Sequence, residues 1–404
     1  MTDNIKWFLS FRFFTTVAMQ MKMTILGYFL YQISGEALSL GMLGLYEALP
    51  RIFLALPAGY FVERIEKRKA LFTVVLGYLI LSISLLIAMF LFKNNHQELK
   101  YLIYLTVFLM GVIGSMGMGA SVALFSSIIP KDKMAKYSAI SSNSWQIGAV
   151  IGPIIGGFLI QFIGAEYSYF AVITFLTVGL FSILQLPQSH SQNTHRFSLE
   201  NSMLQMKEGL DFVFKNKIML WAISLDLFAV LFGGCVALLP IFARDILYVD
   251  SNGYGFLRAA TPMGSALAMI VLARRPILNN TGKWLMIFVG LFGLATIGFA
   301  LSKVFALSMF FLFLIGAFDA VSVVIRGALL MIETPDNMRA RVSSVNSMFI
   351  SSSNEIGAFE SGFAAHYLKV VPSVIFGGSM VMLFVSIAWL KAKELKNFEF
   401  SKVK

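Results

Sequence analysis

Twelve long apolar stretches run along the chain, separated by short polar breaks, at about residues 5–33, 39–62, 70–92, 100–129, 138–163, 167–187, 218–243, 254–273, 283–301, 304–332, 342–367 and 372–390. Each approaches or exceeds the roughly 20 residues that an α-helix needs to cross a hydrocarbon layer about 30 Å thick. Inside such a layer the backbone finds hydrogen-bond partners only within a helix or a closed barrel, and runs of this length belong to helices. The pattern predicts an all-α integral membrane protein with twelve transmembrane helices and little chain left for anything else. The first stretch reads as a span rather than a cleaved leader. From Trp7 to Ile33 it is too long for a signal peptide, and Arg12 and Lys22 interrupt it.

One break is longer than the others. Between Pro187 and Lys217 the chain turns polar at His190, Ser191, Gln192, Asn193, His195 and Arg196. It then mixes Phe197, Leu199, Met203, Leu204, Met206, Leu210, Phe212 and Val213 with Lys207, Glu208 and Asp211, the spacing of a helix lying in the membrane interface. The chain thus divides into a six-helix half (1–187), a cytoplasmic linker with an interfacial amphipathic helix (188–217), and a second six-helix half with a basic tail (218–404). The halves echo each other. Gly44-Leu45-Tyr46-Glu47-Ala48 aligns with Gly255-Phe256-Leu257-Arg258-Ala259, 211 residues on, and Asp132-Lys133-Met134 with Asp336-Asn337-Met338, 204 residues on. Both matches fall at corresponding places in the two halves, which points to internal duplication.

Composition agrees: 58% of residues are hydrophobic and 13% charged, against about 45–50% and about 25% in soluble domains. The net charge of +11 sorts by membrane side rather than marking a nucleic-acid surface. With both termini inside, the cytoplasmic segments carry 22 of the 32 Lys and Arg residues, and the periplasmic loops carry five (Lys93, Lys100, Arg244, Lys303, Lys369). That bias is the positive-inside rule, and runs such as Lys67-Arg68-Lys69 serve it as topology signals and headgroup anchors. A single cysteine, Cys235, excludes an intramolecular disulfide. His96, His190, His195 and His366 show no metal-ligand spacing, and there is no phosphate-binding loop, nucleophile elbow or re-entrant filter. An enzyme, an ATP-driven pump and a channel are therefore set aside, and no cofactor is expected.

Ten ionisable residues remain inside the predicted spans: Arg12, Lys22, Glu47, Arg51, Asp226, Arg258, Asp319, Arg326, Glu355 and Glu360. Each costs roughly 2.5–3.5 kcal/mol at the centre of a membrane helix, so such residues pair with one another or line a watery path. Glu47 and Arg51 have the four-residue spacing of an intrahelical ion pair, and Asp319 and Arg326 lie seven apart on one helix face. Three of the four first-half charges are basic and four of the six second-half charges acidic, which predicts pairing across the halves.

The first cytoplasmic loop reads Gly59-Tyr60-Phe61-Val62-Glu63-Arg64-Ile65-Glu66-Lys67-Arg68-Lys69. It resembles the loop signature G-x-x-x-D-R-x-G-R-R/K-R/K of the major facilitator superfamily, with Glu63 for the usual Asp and Glu66 for the second Gly. Span five carries Gly148-Ala149-Val150-Ile151-Gly152-Pro153-Ile154-Ile155-Gly156-Gly157, similar to the G-x-x-x-G-P-x-x-G-G stretch of antiporters in that superfamily; glycines four apart also suit close helix packing. Leu225 to Gly234, Ala237 to Asp245, Thr334 to Val342 and Ser353 to Gly362 resemble the branch that contains siderophore exporters and many efflux proteins.

The resemblance implies a major facilitator fold in which spans 1, 4, 7 and 10 line a cavity and 2, 5, 8 and 11 flank it. All ten charges fall on spans 1, 2, 7, 8, 10 and 11. It implies a proton-driven antiporter of a bacterial inner membrane, working as a monomer in the lipid bilayer on a siderophore or another amphiphilic small molecule. A carboxylate would be the proton site, since burial favours the neutral acid and a nearby base the charged one. Asp226 and Asp319 lead on cavity spans, followed by Glu355, Glu360 and Glu47. Substrate or charge-pair candidates are Lys22, Arg12, Arg51, Arg258, Arg326, Gln20 and Asn143, with Gln146, Asn346 and Asn354 as further polar positions. Gly59, Glu63, Arg64, Arg68, Gly148, Gly152, Pro153, Gly156 and Gly157 are the expected conformational motifs. An importer of a small solute or metal chelate, or a lipid flippase, would need a similar cavity.

Overall fold

The structure is a computed structural model that describes residues 3–188, 199–336 and 338–402. The polar run from His190 to Phe197 and Asn337 lie outside the described residues. In chain order the helices are α1 (Asp3–Ser34), α2 (Ala37–Arg64), α3 (Lys67–Leu91), α4 (His96–Gly114), α5 (Gly117–Ile128), α6 (Met134–Leu184), α7 (Leu199–Lys215) and α8 (Lys217–Gly233). They continue with a short α9 (Leu239–Ile241), α10 (Ser251–Arg274), α11 (Thr281–Leu301), α12 (Phe305–Glu333), α13 (Arg339–Leu368), α14 (Val370–Lys391) and α15 (Lys393–Lys396). No strand occurs among the described residues. Most boundaries fall within three or four residues of those expected from the apolar runs, because the same residues that favour hydrocarbon also have to be helical there.

Nine helical segments among the described residues are long and apolar enough to cross a membrane. α1 and α13 are of comparable length but stand outside the nine, being made more polar by Arg12 and Lys22 and by Glu355 and Glu360. The longest segment, Lys136–Leu184, is interrupted inside α6 at Gly164, whose φ of 82° and ψ of 164° belong to a region that essentially only glycine enters. Between α13 and α14 the chain reverses at Lys369 with nearly the same angles, φ 71° and ψ 162°. Lys369 lies 205 residues after Gly164, within one residue of the 204-residue offset between Asp132 and Asp336. The turn is repeated, and its glycine is not.

Two compact units make up the chain. Unit 1 comprises Met1–Gly35, Leu45–Leu199 and Asp250–Ala259; unit 2 comprises Glu36–Gly44, Glu200–Val249 and Ala260–Lys404. In unit 1, α1 lies in a groove along α6. A methyl group at Gly148 would meet the Thr16 side chain, one at Gly152 the Cβ of Gln20 at 2.7 Å, and one at Gly156 the Thr24 side chain at 3.4 Å. Both sets repeat every four residues, so the glycines seat α1 tooth by tooth. Gly157 faces the start of α10 instead, where a Cβ added at Gly255 would lie 2.7 Å from the Pro153 carbonyl oxygen. The span-five motif thus packs two helices.

Unit 2 repeats that contact with the start of α2: Gly41 lies against Gly362 and the Phe359 carbonyl of α13. α7 docks on the beginning of α13, where Arg341 pairs with Glu208 and Gly209 approaches the Arg341 backbone. Asn216 then caps α8, accepting from the Ile218 and Met219 amides, while its Nδ2 donates to Glu333 at 3.0 Å.

Candidate functional site

α1 brings Lys22 and α2 brings Glu47 into the interior of unit 1. The Lys22 ammonium, whose side chain is only 1% exposed, donates to both Glu47 carboxylate oxygens at 3.2 Å. One turn along α2, Arg51 Nη2 donates to Glu47 Oε1 at 2.6 Å, the i,i+4 pair that the spacing predicted. Two glycines of α4 make room. A Cβ at Gly111 would strike the Glu47 carbonyl, and one at Gly114 would strike the Tyr78 hydroxyl and lie 3.1 Å from Arg51 Nε. Tyr78 of α3 thereby joins the group, and nothing in its spacing from Arg51 announces it. Lys22 and Glu47 are sealed, while Arg51, at 34% exposure, is the reachable partner of Glu47.

In unit 2, Asp226 of α8 and Arg326 of α12 form a buried ion pair. Asp319, two turns before Arg326 on the same helix, is half-buried and lies within electrostatic range of both. It makes no hydrogen bond and no ion pair among the described residues. Asp226, Asp319 and Arg326 thus bring two acids and one base together. Within unit 1 Lys22 and Arg51 share Glu47, and within unit 2 Arg326 holds Asp226, since a buried cation needs its counter-ion within a few ångströms.

The remaining candidates are more scattered. Arg258 of α10, at the position aligned with Glu47, binds no acid among the described residues; its Nη1 reaches the hydroxyl of Tyr254 at 3.4 Å, and its Nε is buried without a partner among them. The Tyr254 ring packs on Tyr28 of α1, 5.9 Å between centroids. Glu355 of α13 lies beside Gly44 at the start of α2, and Glu360 is half-buried with no ion pair among the described residues. Arg12 is half-buried and likewise without an ion pair among them. Gln20 lies in the α1–α6 groove, Asn143 is exposed and Gln146 buried. Asn354 donates to the Ile350 carbonyl at 2.8 Å, whereas the Asn346 side-chain oxygen is buried with no partner among the described residues.

Of the loop motif, the surroundings of Gly59 and the side chains of Glu63 and Arg64 lie outside what the structure describes. Arg68 donates to the Leu186 carbonyl at 2.7 Å, tying the start of α3 to the chain just after α6. Glu66 precedes α3 at φ −53° and ψ 127°, angles open to any residue, so the turn does not need the glycine of the signature.

The family model described as Major Facilitator Superfamily matches residues 8–358. The chain belongs to the major facilitator superfamily. It is a multi-pass membrane transporter and not an enzyme. Among curated relatives of this superfamily chain, the enterobactin exporter EntS of Shigella flexneri is 25% identical over 356 residues, covering 84% of this chain and 80% of that protein. The enterobactin exporter EntS of Escherichia coli (strain K12) is 24% identical over 353 residues, with the same coverage. The fold is shared with a solved bacterial homologue of the human lysosomal transporter Spinster, in an inward-facing and unoccupied conformation, at a TM-score of 0.73, 12% identity and 99% coverage of both chains. A POT family transporter in complex with 5-aminolevulinic acid matches with a TM-score of 0.72 at 11% identity, over 97% of this chain and 96% of that one.

Proposed function

We propose that the chain is a proton-coupled antiporter that exports a siderophore or another amphiphilic small molecule from a bacterial cytoplasm by alternating access. In this reading it sits in the inner membrane as a functional monomer with both termini cytoplasmic. The observation that carries the coupling is Asp319, half-buried and, among the described residues, unpaired beside the Asp226–Arg326 ion pair. Two carboxylates and one guanidinium are electrically balanced with one proton bound and carry a net negative charge without it. Proton uptake and release there changes the charge that unit 2 holds in the low-dielectric region, where a charge is expensive. One proton falling through about 150 mV supplies roughly 3.5 kcal/mol, which sustains a substrate gradient of about 300-fold. Export of an amphiphile is supported by the exporter relatives and by the antiporter-like motif at Gly148 to Gly157.

The test is uptake of enterobactin into inside-out vesicles with an imposed acid interior. The wild-type protein is expected to accumulate it. Joint Asp226→Asn and Asp319→Asn is expected to leave equilibration across the membrane but abolish accumulation. Accumulation that survives the double substitution ends the assignment of the proton site, and accumulation only under the opposite gradient makes the protein an importer.

A further inference from the structure

Of the ten charges in the spans, unit 1 holds four cations (Arg12, Lys22, Arg51, Arg258) and one acid (Glu47), and unit 2 holds the reverse, with Arg326 its one cation. Arg258 belongs to unit 1 only because the first turns of α10 do. Glu47 is already engaged by Lys22 and Arg51, so unit 1 has no acid in its spans left for Arg258. Among the described residues its guanidinium meets one neutral phenol, that of Tyr254, and keeps a buried Nε–H with no acceptor. A partly buried guanidinium in this state lacks its anion, and planar, forked donors of this kind match a carboxylate in particular. Tyr254 is fully buried and wedged on Tyr28, which fixes the position of the hydroxyl and with it that of the guanidinium.

We propose that Arg258, positioned by Tyr254, is an anion-binding site that receives a carboxylate or comparably acidic oxygen of the transported molecule. The proposal rests on the transporter reading but not on proton coupling. The test uses the full chain in lipid nanodiscs without any gradient, titrated with fluorescent 1-pyrenebutyrate and with its uncharged amide. The acid is expected to bind the wild type about tenfold tighter than the amide, as a charge-assisted contact should. Arg258→Gln is expected to erase most of that preference while leaving affinity for the amide unchanged, and Arg258→Lys, which keeps the charge and loses the fork, to give an intermediate value. Should the Gln variant fail to fold, the Lys variant decides alone, and an undiminished preference in it overturns the site. A preference that survives Arg258→Gln, or that disappears only in Arg51→Gln, also overturns it. Asp319→Asn is expected to keep the preference, so failure of proton coupling and failure of the anion site give different results.

Discussion

At the scale of single residues, Glu47 does the most. One carboxylate neutralises a fully buried ammonium and a partly exposed guanidinium. Glu47→Gln strands Lys22 in the interior and is expected to destabilise by about 3–5 kcal/mol, the cost of an uncompensated buried charge. Lys22→Met is expected to lose less, because Arg51 still serves the acid; unfolding in sodium dodecyl sulfate measures both, and equal losses would contradict the geometry. Lys369 presents the opposite case, a residue in backbone space that favours glycine. Lys369→Gly is expected to raise stability by about 1 kcal/mol, the relief of strain less the added chain entropy. A lower melting temperature for that variant would show the turn to be unstrained. Of these features only the Glu47–Arg51 spacing was legible in the sequence. Lys22 is 25 residues from its partner and Asp226 is 100 from Arg326, and no local periodicity links residues so far apart.

At the scale of elements, most helix boundaries were legible to three or four residues, since apolar length and helical hydrogen bonding obey one constraint; the breaks after Gly114 and Gly233 were not. The amphipathic stretch after Phe197 duly forms α7, although its anchor, Arg341 on Glu208, joins segments 133 residues apart. The glycines of span five were legible as a packing motif, but not their seat on Thr16, Gln20 and Thr24. Gly152→Val is expected to cost about 1–3 kcal/mol through overpacking against Gln20 and the Val17 carbonyl. Gly119→Ala, with no described residue within 4 Å of the new methyl group, is expected to be neutral or slightly stabilising. Thermal unfolding of the two variants separates a fitted glycine from a free one, and matching melting temperatures would refute the groove.

At the scale of the whole molecule, the sign of the charges in the spans follows the two units more closely than the two halves of the sequence, because α10 begins in unit 1. The positive-inside bias makes an independent prediction. In a Cys235→Ser background, Ser401→Cys is expected to react with a membrane-impermeant maleimide only after permeabilisation; labelling in intact cells would reverse the orientation. The groove between α1 and α6 also has a mechanical meaning. Its teeth are about 6 Å apart, four residues at 1.5 Å each. A slide of α1 by less than that pitch drives a threonine or glutamine side chain into the flank of α6, so the two helices behave as a rack locked in its gear. Lys22 rides on α1, and no stroke that displaces it can leave Pro153 and the helix behind it standing still.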